Sequence, residues 1–326
     1  SRLGFGGEHP EQLANEIIEG WIAIRRAQST MARQLAERVR EIAAREKYDR
    51  LLGESLRLLG KILRARSIDE STAALEQALL PLANAGATSA LGKTKLALGW
   101  NRGRSGSVEE GLEILDEALL DFRRADDGYW EMTAVRARGF LLLQAGRIQE
   151  AREASERALE WMQDYGVLNE IVSSHSALGE CLRHQGHYEE AREHYLKREE
   201  LVSASDALNP LISRFNIAMV ELGLRDYEAA DVILDELSES LDKLEQIVMV
   251  AFFFSASIVT HAALGRWDDF DADLTSLEER LHTSKLVDRD IIWCLERASW
   301  LAKKAAQPER AERARALGEK LQRVSP

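Results

Sequence analysis

A Gly-Lys-Thr tripeptide at residues 92–94 is the first feature of this chain that could bind a phosphate group. A phosphate-binding loop needs another glycine five residues before the first one, but that position is Ala87. The loop also follows a buried strand, whereas the residues before it here have the periodicity of a helix. We therefore predict that Gly86 ends one helix and that Thr88 or Ser89 caps the next, with no nucleotide site.

Three aspartates, Asp269, Asp271 and Asp273, have the spacing that begins a calcium-binding loop. The sixth and twelfth positions of such a loop should be Gly and Glu, but here they are Leu274 and Arg280. Acidic residues also favour the start of a helix, because they interact with its dipole. We therefore interpret this segment as a solvated, acidic helix start.

Four histidines in one part of the chain could in principle hold zinc: His175, His184, His187 and His194. The spacing of His187 and His194 puts them on one helix face, and His184 lies across a predicted turn. Neither a cysteine nor a carboxylate completes a familiar zinc spacing with them. We expect histidines of turns and helix surfaces, and we predict neither a metal nor a cofactor.

Signatures of the common catalytic sites are absent from the sequence. It contains no nucleophile elbow, no His-Glu-x-x-His pair and no set of protein-kinase signatures. A serine–histidine–acid arrangement assembled from distant residues stays open, because residue types alone do not test it. We predict that the protein is not an enzyme.

The composition is that of an ordered helical protein with an acidic surface. Charged residues make up 30% of the chain and hydrophobic residues 45%, with a net charge of −12. Such a chain is a poor general partner for nucleic acid, whose phosphates need positive charge. The charge is uneven, at +4 over residues 1–66, −11 over residues 225–296 and +5 over residues 297–326. Self-association through oppositely charged ends is therefore a further hypothesis.

The two cysteines, Cys181 and Cys294, lie far apart in apolar segments and suggest neither a disulfide framework nor a metal site. This usage favours a reducing, cytoplasmic setting. The chain begins Ser1-Arg2-Leu3 and has no signal-peptide pattern, so we expect a fragment of a longer polypeptide.

The candidate residues above lie in a sequence pattern that recurs about every 40 residues along the chain. Helical periodicity is nearly continuous, no segment alternates like a strand, and a turn divides each repeat into two helices. A repeat of this length is typical of a solenoid, in which each unit buries its apolar face against its neighbours. Small residues stand in register at Gly99, Gly139 and Gly179, and again at Gly111, Ala151 and Ala191.

Further positions equivalent to Ala191 extend the repeat in both directions. They are Ser71, Ala230 and Phe270, with Ala311 and Ala32 as the outermost candidates. We predict an all-α solenoid of about eight antiparallel helical hairpins. The predicted domain is a single solenoid over residues 1–326, with an N-terminal capping hairpin at 1–47, core repeats at 48–284 and a C-terminal capping hairpin at 285–326.

Residues 247–264 form an uncharged segment that includes Phe252, Phe253 and Phe254. Its length alone would admit a membrane span, but serine, threonine and histidine interrupt it. It also lies where a repeat's first helix is expected, and a helix packed between two neighbours is apolar nearly all round. We predict no membrane contact, and we keep open that one face of this helix lines an apolar part of a groove.

One repeat resembles the tetratricopeptide pattern, in which a Leu-Gly pair precedes a small residue and then an aromatic residue. Leu178 and Gly179 are followed by Ala191 and Tyr195 at those spacings, and parts of the pattern recur over most of residues 48–270. The repeats are longer than the family norm, as in arrays found in large bacterial regulators and attached to signalling kinases and ATPases. The resemblance implies a right-handed superhelix whose first helices line a peptide-binding groove.

The resemblance also implies which side chains face that groove. They are mostly Arg and Lys in the N-terminal half, and Phe, Asn and Met further along. The predicted peptide-binding residues are Arg57, Lys61, Arg64, Lys93, Trp100, Arg104, Arg136, Phe140, Arg183, Phe215, Asn216, Met219 and Phe252. Such a surface suits a peptide with acidic and apolar residues, with Asn216 on its backbone. The alternative is that these arginines are solvated or paired with Glu on neighbouring helices.

We therefore predict a non-catalytic scaffold that docks a peptide or a partner helix within a bacterial signalling or regulatory protein. The alternative is a ligand-sensing domain that controls an attached effector, such as a transcriptional regulator, a kinase or an ATPase. A sealed pocket near Phe252 and Phe254 would favour sensing, and an open groove would favour docking.

Overall fold

The described part of the chain is built from α-helices joined by short turns. The computed structural model describes residues 9–26, 28–202, 208–241, 247–284 and 288–324. Sixteen helices and no strand occur in these ranges. The predicted all-α architecture of antiparallel helical hairpins is therefore confirmed. None of these helices combines the length and apolar character needed to cross a membrane.

The chain divides into two compact units, residues 1–141 and residues 142–326. Unit 1 contains α1 (Pro10–Arg25), α2 (Ser29–Glu46), α3 (Asp49–Leu63), α4 (Ile68–Asn84), α5 (Thr88–Arg104), α6 (Val108–Arg124) and most of α7 (Gly128–Gln144). Unit 2 contains α8 (Ile148–Asp164), α9 (Leu168–His184), α10 (Tyr188–Leu201), α11 (Leu208–Leu224), α12 (Tyr227–Leu241), α13 (Ile247–Leu264), α14 (Trp267–Ser284), α15 (Arg289–Lys304) and α16 (Pro308–Val324).

Consecutive helices form hairpins, and the first helices of neighbouring hairpins also touch one another. In unit 1, α3 packs against α4 and also against α5. In unit 2, α9 contacts α11, α11 contacts α13, and α13 contacts α15. The first helices of each unit therefore form a continuous layer, which brings side chains from separate repeats onto one face.

The turn between α9 and α10 shows how the sequence ends one helix and starts another. Gly186 has a φ of +81°, the left-handed conformation that glycine adopts without steric cost. The next amide, of His187, donates a hydrogen bond to the Leu182 carbonyl at 2.9 Å, which closes the helix end. Because this geometry is local, the sequence predicted the turn correctly.

The small residues in register lie where two helices of a hairpin come closest. A Cβ atom on Gly99 would lie only 2.8 Å from the carbonyl oxygen of Gly111, on the facing helix. Gly179 instead lies beneath the ring of Tyr195, and Ala191 has no exposed surface. The 40-residue periodicity therefore reflects the packing of each hairpin against itself.

Two predictions about local structure have definite outcomes. Gly92, Lys93 and Thr94 lie inside α5, so they form no loop, but that helix begins at Thr88 with Ala87 as its N-cap, which corrects the predicted cap. The aspartates at 269–273 lie near the start of α14, as the interpretation of an acidic helix start expected.

Candidate functional site

Eight of the thirteen predicted peptide-binding residues lie on the first helices of unit 1. Lys61 and Arg104 are exposed, and the other side chains of the set are half-buried. We call this surface the unit 1 face. It consists of Arg57, Lys61, Arg64, Lys93, Trp100, Arg104, Arg136 and Phe140.

Two cations of the unit 1 face are paired within the chain. Arg57 forms an ion pair with Glu54 at 2.7 Å, and its guanidinium lies 4.5 Å from the centre of the Trp21 ring. The Lys93 ammonium lies 3.6 Å from a carboxylate oxygen of Asp127. For these two residues the alternative of internal pairing is therefore the one that the structure shows.

Lys61, Arg64 and Arg104 form the cation group of the unit 1 face. Burial lowers the pKa of Arg64 first, and the positive charge of Arg104 lowers it further. Burial and then the charge of Arg64 lower the pKa of Lys61, although solvent around this exposed side chain screens that effect. Among the described residues, no carboxylate forms an ion pair with any of the three. The group therefore carries uncompensated positive charge.

An aromatic pair lies beside the cation group. The ring centres of Trp100 and Phe140 are 4.7 Å apart, and the Arg104 guanidinium lies 5.8 Å from the Phe140 ring centre. Both aromatic side chains keep part of their surface exposed. Positive charge and accessible apolar surface therefore lie side by side.

The predicted residues of unit 2 are mostly covered. Phe215, Asn216 and Met219 are 5%, 5% and 1% exposed, and Arg183 is 6% exposed. Phe252 is half-buried, and its ring centre lies 5.9 Å from that of Phe215. These positions therefore offer little open surface, and their role in binding a peptide stays a prediction.

Helix α15 contributes to this burial together with α12 and α13. Its apolar residues share a core with Phe215 and Met219 of α11, and the Cys294 sulfur lies 3.9 Å from the Met219 sulfur. The first turn of α15 reaches farther, because Asp290 accepts a hydrogen bond of 2.6 Å from Arg183 of α9. Arg183, Phe215 and Met219 thus have partners inside the chain.

Charged side chains cluster where α15 meets α9. Burial, and after it the negative charge of Asp290, raise the pKa of Glu180 to about 8. Asp290 itself has a strongly lowered pKa despite burial, because Arg183 and His184 stabilise its ionised form. Near neutral pH the carboxylate that faces Arg183 is therefore Asp290, while Glu180 holds a proton.

The Asn216 side chain is a second unusual feature of this region. Its Nδ2 atom is buried and has no hydrogen-bond partner among the described residues. A buried amide donor without an acceptor destabilises the folded state, so such a group is a candidate contact for a peptide carbonyl.

The four histidines do not converge. His175 and His194 are in contact with each other, whereas His184 lies 3.2 Å from Asp290 and His187 lies 3.4 Å from a carboxylate oxygen of Glu190. Among the described residues no three potential ligands are placed to hold a metal ion. Sequence spacing missed the contact between His175 and His194, because it depends on how α9 packs against α10.

Comparison with known proteins identifies the repeat type. Residues 131–203 match the family model described as tetratricopeptide repeat. No curated protein matches the sequence at a significant level.

Solved structures of regulatory proteins have similar folds. The Rap protein complexed with Competence and Sporulation Factor has a TM-score of 0.68 at 12% identity, covering 96% of this chain and 98% of that one. The apo quorum sensor NprR from B. thuringiensis has a TM-score of 0.67 at 14% identity, covering 95% and 87%. The Rap conjugation gene regulator of plasmid pLS20, in complex with the Phr* peptide, has a TM-score of 0.66 at 14% identity, covering 96% and 97%. The fold is therefore a tetratricopeptide-like array of helical hairpins.

Proposed function

We propose that the unit 1 face docks an acidic peptide, and that the chain is a non-catalytic interaction scaffold within a signalling or regulatory protein. The observation that carries this proposal is the cation group of Lys61, Arg64 and Arg104. These side chains repel one another, and no carboxylate of the described ranges forms an ion pair with them. An anionic ligand would relieve that repulsion, and it would bind only to the folded state that assembles the group.

The neighbouring aromatic pair indicates what else the ligand carries. Trp100 and Phe140 offer partly exposed ring surface directly beside Arg104. An apolar side chain of the ligand would pack there while its acidic neighbours contact the cations, because arginine pairs well with carboxylates and aromatic residues anchor interfaces. Docking would be reversible and would involve no chemical step.

Proteins of similar fold support a peptide as the partner. The structure of the conjugation gene regulator of plasmid pLS20 contains the Phr* peptide, and NprR is described as a quorum sensor. These likenesses are of fold, so the choice of an acidic and apolar peptide rests on the side chains of the unit 1 face.

The proposal is tested by fluorescence anisotropy with a labelled Glu-Glu-Phe-Glu-Leu peptide and its neutral analogue Gln-Gln-Phe-Gln-Leu. Lys61→Gln combined with Arg64→Gln should weaken binding of the acidic peptide roughly tenfold or more, because one charge-assisted contact contributes about 1.5–3 kcal/mol. Arg33→Gln with Arg45→Gln removes two exposed cations from α2 and is the matched control, with unchanged affinity expected. Equal binding of both peptides, or wild-type affinity in the first variant, would contradict the proposal.

A second candidate function is ligand sensing that controls an attached effector. The observation that favours it is that α15 packs against predicted groove residues of unit 2. A ligand that bound there would have to change the position of α15, and such a displacement is what a sensor requires. Limited proteolysis with and without ligand separates the two functions, because simple docking on unit 1 leaves the cleavage pattern of α15 unchanged.

A further inference from the structure

The first turn of α15 places a carboxylate on two cationic positions of α9. Asp290 Oδ2 accepts the hydrogen bond from Arg183 Nη2, and Asp290 Oδ1 lies 3.2 Å from His184 Nε2. The Arg183 side chain is 5% exposed and that of Asp290 is 14% exposed. Two groups that are 107 residues apart in sequence therefore form a nearly dry contact.

This contact leaves hydrogen-bonding capacity unused. Arginine pairs best with a carboxylate through two parallel hydrogen bonds, but Asp290 accepts from Nη2 alone. Within the described part of the chain, the buried Nε atom of Arg183 has no acceptor, and neither has the buried Nδ2 atom of Asn216 on the adjacent α11. Asp290 therefore occupies the position beside Arg183 but accepts no hydrogen bond from Arg183 Nε or from Asn216 Nδ2.

The contact is made by the N-terminal end of α15. Asp290 is the second residue of the helix, and its amide donates to the N-cap Asp288 at 2.9 Å. Ile291 holds the end of this first turn in the core, and Cys294 and Leu295 hold the helix that follows; none of the three has exposed surface. The first turn can thus rearrange without undocking α15, because helix ends fray more readily than packed interiors.

We infer that Arg183 and His184 form a carboxylate-binding subsite in unit 2, which Asp290 fills in the absence of ligand and an acidic side chain of a peptide takes over. The inference goes beyond docking on the unit 1 face and does not depend on it. A ligand carboxylate free to orient itself can accept from both Nε and Nη2 of Arg183, and the peptide carbonyl beside it can accept from Asn216. Binding then frees the first turn of α15.

Glu180 does not compete for the subsite at neutral pH. It lies on the same helix as Arg183, but burial and the negative charges of Asp290 and Asp288 raise its pKa to about 8. A protonated Glu180 leaves Arg183 to Asp290 or to the ligand, so one carboxylate at a time satisfies the subsite.

The test is calorimetric titration with acetyl-Leu-Asp-Phe-amide and its neutral analogue acetyl-Leu-Asn-Phe-amide. Asp290→Asn should bind the acidic probe roughly fivefold tighter or more than wild type does, because the internal competitor is gone. Glu296→Gln removes an exposed carboxylate from the same helix and should match wild type. Adding Arg183→Gln to Asp290→Asn should remove the preference for the acidic probe. Equal affinity in wild type and Asp290→Asn, or an unchanged preference in the double variant, overturns the inference.

A measurement on the wild-type protein covers the case in which these variants fold poorly. Hydrogen–deuterium exchange at residues 288–293 should accelerate roughly fivefold or more when the acidic probe is added, while the neutral probe has no effect. Unchanged exchange at probe concentrations up to its solubility limit overturns the inference. The Lys61→Gln/Arg64→Gln variant should respond as wild type does, so this subsite and the unit 1 face succeed or fail separately.

Discussion

The Nδ1 atoms of His175 and His194 lie 2.9 Å apart and join α9 to α10. At this distance one Nδ1 carries a hydrogen and the other accepts it, so the accepting ring is neutral. Burial lowers the pKa of His175 to about 4, with smaller effects from His194 and Lys197. The pair is therefore a structural contact that acid would break.

The folded chain should lose stability as the pH falls from about 6.5 to about 4. In the unfolded chain His175 takes up a proton near its ordinary pKa of 6.5, whereas in the folded chain it stays neutral down to about pH 4. His175→Gln should reduce the difference between the urea midpoints at pH 7 and pH 5. His187→Gln, at an exposed position, should leave that difference as in wild type. An identical pH dependence in all three proteins would contradict this account.

Glu180 should have the opposite effect on the pH dependence. Its folded pKa of about 8 lies above the ordinary value of 4.5, so its contribution to stability is lost as the pH rises from about 4.5 to about 8. Glu180→Gln should flatten the fall in thermal midpoint between pH 5.5 and pH 8. The control is Glu189→Gln on the exposed side of α10, which should keep the wild-type slope. A slope that Glu180→Gln does not change would show that Glu180 is ionised throughout this range.

A methyl group at Gly99 should destabilise unit 1. Its Cβ atom would meet the backbone oxygen of Gly111 at 2.8 Å, and backbone atoms cannot move aside as a side chain does. Overpacking of this kind costs about 1–3 kcal/mol of unfolding free energy. Gly318→Ala in α16 is the matched control, because its Cβ has an ordinary contact at 3.5 Å and alanine stabilises a helix by about 0.5–1 kcal/mol. Denaturant unfolding should therefore give opposite signs for the two variants.

Loss of the Arg183 guanidinium should be costly. Arg183→Gln would leave Asp290 buried without its ion-pair partner, which costs about 3–5 kcal/mol of unfolding free energy. Arg315→Gln breaks an exposed pair with Glu312 and should have little effect, since solvent already screens that contact. Equal urea midpoints for the two variants would mean that the contact between α9 and α15 is open in solution.

Much of the fold follows from features that are close together in sequence. Gly186 ends a helix wherever the hairpin is placed, because its left-handed conformation depends only on its own backbone. Gly99 and Gly111 come together because both helices of one hairpin contribute them. These are short-range relationships, so periodicity and turn chemistry were sufficient to predict them.

The candidate site could be predicted only in part. Arg64 and Arg104 occupy equivalent places in neighbouring repeats, and Lys61 precedes Arg64 by about one helical turn, so the repeat pattern predicted all three on one face. Whether each has a carboxylate partner depended on side-chain positions, and Arg57 proved to be paired. The burial of Phe215 and Met219 did not follow from their own repeat, because helices of neighbouring repeats share their core. Their role in binding a peptide stays a prediction.

The sequence by itself determined that this protein is a series of helical hairpins with a repeat of about 40 residues, because helix ends, turns and hairpin packing are encoded over one repeat length. Only the tertiary structure decided which side chains at the predicted groove positions are exposed and which have partners. Asp290 reaches Arg183 across 107 residues because α15 packs against earlier first helices of unit 2, and no pattern within a single repeat contains that information. Each repeat packs on the one before it, so small differences in packing add up along the chain. The residue that meets a side chain such as Arg183 therefore depends on several repeats and not on one hairpin alone.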